Sequence, residues 1–306
     1  MTSHSYTYQS TLRDALKVNW RVEDLIGGNK LLDFRKPFLP DSLAGVNDIQ
    51  CLNHREKLIL NQIRGNSYLH LFALVEEFII PMVLEQLQRM GYDDIYAAQA
   101  LLCFAEEESK HIHLFRRFAE EFELSFGTLC ACVGPTRDIT NAILKHSALG
   151  ILCITLHFEW MTQSHYLESI RDNEAENLDP QFCSMLKHHW MEEAQHTKMD
   201  TLLVNQLTRE IGSQETETGI EDYLAIVKML EEKLITQVQL DLESLSKAAG
   251  RTFTVPEKQE IQTTQEQSYR WTFLCAGMTH PNFVKILSEL SQTGQARVTQ
   301  LAKALS

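Results

Sequence analysis

Glycine and proline are scarce in this chain of 306 residues, which has 13 Gly and 7 Pro. Both residues interrupt helices, so their low number favours long helical segments. Basic residues are also in the minority, because 28 Lys and Arg stand against 41 Asp and Glu, a net charge of −13. A surface that follows phosphates needs clustered cations. We therefore expect neither a nucleic acid nor an anionic membrane as a partner.

A disulfide framework and a membrane anchor are not expected either. The seven cysteines are odd in number, and most lie in apolar helical stretches where cysteine acts as a small hydrophobic residue. Charged or polar residues interrupt every apolar run before it reaches about 18 residues. The first ten residues lack the basic and apolar regions of a secretory leader. These features predict a cytoplasmic protein without a membrane-spanning helix.

Helical periodicity dominates what remains, and it predicts a single all-α domain. We divide residues 1–306 into an irregular N-terminal arm (1–53), a four-helix core (54–211) and additional helices (212–306). A short helix is expected near 10–19 in the arm. Asp93 is the expected N-cap of the second core helix, and Asp179 followed by Pro180 marks the start of the fourth. The longer helices are expected at about 54–90, 94–126, 138–171, 180–211, 220–249, 256–278 and 281–305.

Two of the core helices carry a Glu-x-x-His motif, Glu108 with His111 and Glu193 with His196. Residues three apart lie on one helix face, so the carboxylate and the imidazole of each motif can bind one metal ion. Chance alone accounts for about one such spacing in this composition, so the motifs need independent support.

That support comes from glutamates inside the apolar stretches of the other two core helices. Glu159 lies in one of them and Glu77 in the other, with Glu76 as the alternative. In an antiparallel hairpin, residues equidistant from the turn lie at one height, which places Glu77 level with Glu108, and Glu159 level with Glu193. Four carboxylates and two imidazoles at mid-bundle form the ligand set of a dinuclear carboxylate site.

Four further residues lie beside these motifs. Glu107 and Glu192 precede the two motif glutamates and are candidates to orient metal-bound imidazoles. His189 and Asp200 share the helix face of Glu193 and His196, and Asp200 is a further candidate to support a ligand. His189 is either a seventh ligand or a neighbouring core histidine. To reach a metal it would require a slight helical distortion, such as a π-bulge.

At these residues the chain resembles the ferritin-like diiron-carboxylate proteins, and most of all the p-aminobenzoate N-oxygenase family. The distinguishing pattern is His189-x-x-x-Glu193-x-x-His196. The resemblance implies two iron ions bound by six of these residues, with His189 as an extra ligand to one iron. The implied ligands are Glu77, Glu108, His111, Glu159, Glu193 and His196. It also implies a homodimer.

The favoured function is an O2-dependent diiron oxygenase that acts on a small organic substrate with an external electron donor, and N-oxygenation of an amine is the reaction that the resemblance suggests. Manganese or a mixed Mn/Fe pair would suit the same ligands. One alternative is a ferroxidase or iron-storage protein. Another is a radical-generating subunit, which would need a redox-active tyrosine beside the metals. No tyrosine lies within one helical turn of a proposed ligand, and Tyr166 is two turns from Glu159.

Overall fold

All regular structure in the computed structural model, which describes residues 6–306, is helical. Within that range no strand occurs, and one isolated bridge pairs Gly27 with Lys30. The prediction of an all-α fold is confirmed. The helices are α1 (Tyr8–Ala15), α2 (Asp41–Ala44), α3 (His54–Met90), α4 (Ile95–Phe126), α5 (Thr136–Ile143), α6 (Ala148–Ser164), α7 (Pro180–Glu210), α8 (Ser213–Ala249), α9 (Val255–Arg270), α10 (Ala276–Thr279), α11 (Pro281–Leu290) and α12 (Gln292–Leu305).

The centre of the molecule is a bundle of four helices. Helices α3 and α4 pack as one hairpin, α6 and α7 pack as another, and the two hairpins pack against each other. Helix α8 covers the bundle on the side of α3 and α6, and α9 packs against α8. The arm of residues 16–53 lies over the bundle, and its Phe38 and Leu39 backbone amides donate to the buried Asn61 side chain of α3.

Capping residues fix the starts of the core helices. Asn53 and Glu56 form a capping box at α3, and Asp179 accepts from the Phe182 amide at α7. The predicted N-cap of α4, Asp93, is wrong by one residue, because the first helical residue of α4 is Ile95. Asp94, not Asp93, therefore occupies the N-cap and accepts from the Tyr96 and Ala97 amides.

The prediction of one continuous helix over 138–171 is wrong. The chain forms α5, breaks, and begins again at α6 with Ser147 as N-cap. Asp222 of α8 accepts from the Ser147 amide and lies 3.0 Å from His146 Nδ1, so a tertiary contact holds the break. Helix α6 then continues as a π-helical segment, His165–Ile170.

The C-terminal helices differ from expectation in a similar way. Helix α9 passes into a second π-helical segment, Trp271–Cys275, before α10. The helix expected at 281–305 is broken at Ser291, whose side chain caps α12. At the other end of the chain, the predicted helix near 10–19 is α1, and residues 1–5 of the leader prediction lie outside the described residues.

Helix α3 contains an 18-residue window long and apolar enough to cross a membrane, with a mean hydropathy of 1.6. The expectation that no stretch would reach this length is therefore wrong. Of that window, 72% is buried inside the protein, as expected for the central helix of a core. Pro81 lies within α3, and the helix continues through it.

Candidate metal centre

Carboxylate and imidazole side chains from all four core helices meet at the middle of the bundle. Helices α3 and α6 each contribute one glutamate, α4 contributes a glutamate and a histidine, and α7 contributes a glutamate and two histidines. Each is at most 3% exposed. The seven are Glu76, Glu108, His111, Glu159, His189, Glu193 and His196.

Six of these side chains form two overlapping sets of four. One set is Glu76, His111, His189 and Glu193, and the other exchanges Glu76 and His189 for Glu108 and His196. Within each set, one donor atom per residue lies within 4.8 Å of the others. Both sets contain His111 and Glu193, so the two potential metal positions are adjacent. Glu159 lies beside the second set, with Oε2 3.9 Å from His196 Nδ1.

The preference for Glu77 over Glu76 on α3 is corrected by the structure. Glu76 Oε1 lies 3.0 Å from His189 Nε2, and its Oε2 lies 3.2 Å from His111 Nδ1. The Glu77 side chain turns outward and accepts a hydrogen bond from Arg116 at 2.8 Å. Adjacent residues of a helix point about 100° apart, so only one of the two can face the bundle axis.

Glu107 and Glu192 contact the motif histidines across the bundle. His111 of α4 contacts Glu192 of α7, with 2.9 Å between Nε2 and Oε2. His196 of α7 contacts Glu107 of α4, also with 2.9 Å between Nε2 and Oε2. The structure therefore places each acid against the imidazole of the opposite helix, and its role beside a metal-bound histidine stays a prediction. With Nε2–H donating to a carboxylate, each Nδ1 presents its lone pair to the cluster.

His189 lies inside the cluster, with its Nε2 2.8 Å from Glu193 Oε1. The helical distortion expected there is not present, because α7 is regular from Pro180 to Glu210. Positions 189, 193 and 196 of a regular helix share one face, so the imidazole reaches the cluster without a bulge. The two π-helical segments lie elsewhere, at His165–Ile170 and Trp271–Cys275.

Several buried polar atoms of the cluster have no hydrogen-bond partner, which fits a site for cations. Glu108 Oε1 lies 2.8 Å from His196 Nδ1, yet neither oxygen of Glu108 accepts a hydrogen bond. Glu159 Oε2 and His196 Nδ1 also have no hydrogen-bond partner. Unpaired carboxylate oxygens in a dry interior are costly, and two divalent cations would balance four carboxylates. The residues present therefore fit a dinuclear metal centre.

The pKa shifts describe the same crowding of charge. Burial raises the pKa of the Glu108 carboxyl well above its usual range, and Glu76 raises it further. Burial also raises the pKa of Glu159, with Glu193 as the second cause. Burial alone would lower the pKa of His111, but the carboxylates of Glu76, Glu192 and Glu193 together outweigh it and raise the pKa well above its ordinary value. Without cations, protons would have to neutralise this cluster.

Asp200 does not join either donor set. It is fully buried one helical turn after His196, and neither of its oxygens has a hydrogen-bond partner. The prediction that it supports a ligand stays a prediction. Sequence reasoning missed Trp20, whose ring lies parallel to that of His111 with centroids 6.1 Å apart. Trp20 comes from the irregular arm, and no local pattern connects it to α4.

Comparisons with known proteins add little to this geometry. No family model and no curated protein matches the chain. Similar solved structures include R2-like ligand-binding oxidases, each 14% identical. A mutant with a non-activated Mn/Mn cofactor has a TM-score of 0.44 and is covered over 93% of its length. Another, with an aerobically reconstituted Mn/Fe cofactor, has a TM-score of 0.43 and is covered over 95%. Both cover 89% of this chain. With TM-scores below 0.5, this likeness carries no argument about activity.

Proposed function

We propose that this protein is an O2-dependent oxidoreductase whose buried centre holds two metal ions. The observation that carries the proposal is the pair of overlapping donor sets that share His111 and Glu193. Each set offers two carboxylates and two imidazoles, which suit iron and manganese. When bound, such a pair of metals supplies the redox chemistry that activates O2.

The chain's own residues would hold the metals and keep the centre dry. Glu76, Glu108, His111, Glu159, Glu193 and His196 are the proposed ligands, with His189 as a seventh. Glu107 and Glu192 fix the orientation of the imidazoles by accepting from their outer nitrogens. Phe104 packs on His196 with ring centroids 4.1 Å apart, and Phe115 packs on His189 at 4.9 Å. These rings exclude water from the donor atoms.

We propose further that the substrate is a small organic molecule, with an amine as the first class to test. The support is the resemblance to the p-aminobenzoate N-oxygenases in the pattern of His189, Glu193 and His196, which share one inward helix face. His189 adds a donor without adding negative charge, so the balance of four carboxylates against two divalent ions is kept. Incorporation of an oxygen atom into an amine also needs electrons, so an external donor is part of the proposal.

Anaerobic loading with Fe(II), followed by O2, tests this function. We expect about two bound metal ions per chain, O2 uptake that depends on them, and an amine product that gains an oxygen atom when a reductant is supplied. Mn(II) and mixed Mn/Fe loading identify the metal preference. Repeated oxidation of added Fe(II) with release of Fe(III), and no organic product, would instead identify an iron-handling protein. Protein that binds no metal would refute the proposal.

A further inference from the structure

A hydrogen-bonded tyrosine and histidine lie behind the metal centre. The Tyr68 hydroxyl of α3 is 3.0 Å from His165 Nδ1, and His165 Nε2 is 3.0 Å from the Thr272 carbonyl oxygen. A carbonyl oxygen only accepts, so His165 carries its proton on Nε2 and donates there. Its Nδ1 is then free to accept from the Tyr68 hydroxyl. Both side chains are buried.

A second pair repeats this arrangement further from the metals. The Tyr223 hydroxyl is 2.8 Å from His157 Nδ1, and His157 Nε2 is 3.1 Å from the Phe273 carbonyl oxygen. The two carbonyls are neighbours in the π-helical segment Trp271–Cys275. Gly277 makes room for His157, because a Cβ there would lie 2.3 Å from the imidazole. The second pair shows what a purely structural version of this contact looks like.

Only the Tyr68 pair is connected to the metal centre by packed aromatic rings. Tyr68 stacks on Phe72 with centroids 4.3 Å apart, and Phe72 meets the His189 ring edge-to-face at 5.7 Å. After burial, the Glu193 carboxylate is the next cause that raises the pKa of Tyr68. For Tyr223 the causes after burial are two cysteines and no residue of the centre. Tyr68 lies two helical turns from Glu76, about 12 Å along the axis.

We propose that Tyr68 is a redox-active residue that gives one electron to the metal centre while O2 is reduced there, its hydroxyl proton moving to His165 Nδ1. This inference rests on the proposed function, which supplies O2 as the oxidant. The phenol O–H bond breaks and an N–H bond forms on His165. Tyr68 becomes a neutral phenoxyl radical, and His165 becomes an imidazolium. An electron from the external reductant, with return of the proton, restores the pair.

The surroundings of His165 make this a transient electron donor. Burial lowers the pKa of His165 to about 4, so the imidazole is neutral at physiological pH and able to accept a proton. The same burial makes the imidazolium costly, because it is taken out of water and receives no carboxylate partner. The proton therefore returns as soon as the electron is replaced. Tyr68 and His165 are at most 3% exposed, which protects the radical from quenching while it lasts.

Rapid mixing of the Fe(II)-loaded protein with O2, freezing at short times, and electron paramagnetic resonance test the inference. We expect a tyrosyl radical signal in the unaltered protein, with hyperfine splitting that collapses when ring-deuterated tyrosine is incorporated. Tyr68→Phe removes only the hydroxyl and is expected to abolish the signal. Tyr223→Phe is the matched control and is expected to keep it. Iron content and circular dichroism establish that both variants are loaded and folded.

His165→Gln provides a second variant that does not depend on Tyr68→Phe folding. The glutamine amide can accept from Tyr68 and donate to the Thr272 carbonyl, but it is not a base at neutral pH. We expect loss of the radical signal with the iron content unchanged. O2 uptake without a tyrosyl signal in the unaltered protein, or a signal that survives Tyr68→Phe, overturns the inference and leaves the proposed function standing. Absence of O2 uptake would refute both the inference and the proposed function.

Discussion

Two groups of buried acids in this protein differ in how their oxygens are satisfied. Asp241 of α8 accepts from Ser67 at 2.7 Å, from Gln237 at 2.8 Å and from the Tyr269 hydroxyl at 2.5 Å. The buried Arg64 guanidinium lies 3.3 Å from the centroid of the Tyr269 ring. Burial raises the pKa of Asp241, whereas the Tyr269 hydrogen bond and the Arg64 charge act to lower it. Each oxygen of Asp241 therefore has a donor, and this group ties α3, α8 and α9 together.

Two acids between α3, α4, α6 and α7 are buried equally well but have oxygens without a hydrogen-bond donor. Glu108 has two such oxygens, and Glu159 has one. Buried polar groups in folded proteins are normally paired, so a cluster of exceptions requires an ion or another function. Burial by itself thus does not distinguish a structural carboxylate from a metal ligand. The two are distinguished by whether hydrogen-bond donors surround the carboxylate oxygens.

The largest expected effect comes from Glu193→Ala, because Glu193 belongs to both donor sets. We expect this variant to lose both metal ions, measured by metal analysis of protein purified after loading. Glu106→Ala, on the exposed face of α4, is the matched control and should keep about two ions per chain. Equal metal loss in the two variants would show that the buried cluster is not the binding site.

Asp241→Asn should have the opposite effects, because it should lower stability and leave the metal content unchanged. It replaces a buried carboxylate that accepts from Ser67, Gln237 and Tyr269 and leaves metal binding intact, so we expect a loss of about 1–3 kcal/mol in the free energy of unfolding. Denaturant titration of the metal-loaded protein measures the loss, and metal analysis provides the control. A variant that unfolds normally but loses metal would mean that the two clusters are not separate.

The pH dependence of the metal-free protein should also separate the two clusters. The pKa values of Glu108 and Glu159 are raised above the ordinary value of 4.5. Above that pH the unfolded chain has released protons that the folded, metal-free protein retains. The free energy of unfolding should therefore fall as pH rises, and bound metal should reverse the trend by displacing these protons. Thermal unfolding with and without metal, across pH 5 to 8, measures both slopes.

A metal affinity that does not increase with pH would contradict this account, because metal and protons compete for the same carboxylates. Glu108→Gln cannot release a proton from that side chain and should show a shallower dependence. Asp241→Asn should leave the slope of metal affinity against pH unchanged.

The smallest effect is expected from Glu77→Gln. Glu77 makes a surface ion pair with Arg116, and such pairs contribute under about 1 kcal/mol to stability. The metal content of Glu77→Gln should be unchanged, whereas Glu76→Gln, at the adjacent position, should weaken metal binding. Metal titration of the two variants side by side measures the difference. Weaker metal binding by Glu77→Gln than by Glu76→Gln would restore the original assignment.

Much of the site followed from spacing because helices are regular. Glu108, Glu159 and Glu193 lie at matching distances from their turns, and equidistant residues of a hairpin meet at one height. The same reasoning could not separate Glu76 from Glu77, since one residue changes the height by only about 1.5 Å but turns the side chain by about 100°. Rotation about the helix axis is set by packing, not by distance from a turn.

Local chemistry determined the helical composition of this protein, most of its long helices, and the caps at Asn53 and Asp179, because periodicity and capping act over a few residues. It also determined which histidines share a face with which glutamates on each helix. Tertiary structure decided the rest: Glu76 as the inward acid, the crosswise contacts of Glu107 and Glu192, and the pairing of Tyr68 with His165. These contacts join residues that lie 81 to 113 positions apart in the sequence. Only the packing of whole helices against one another fixes contacts at such separations.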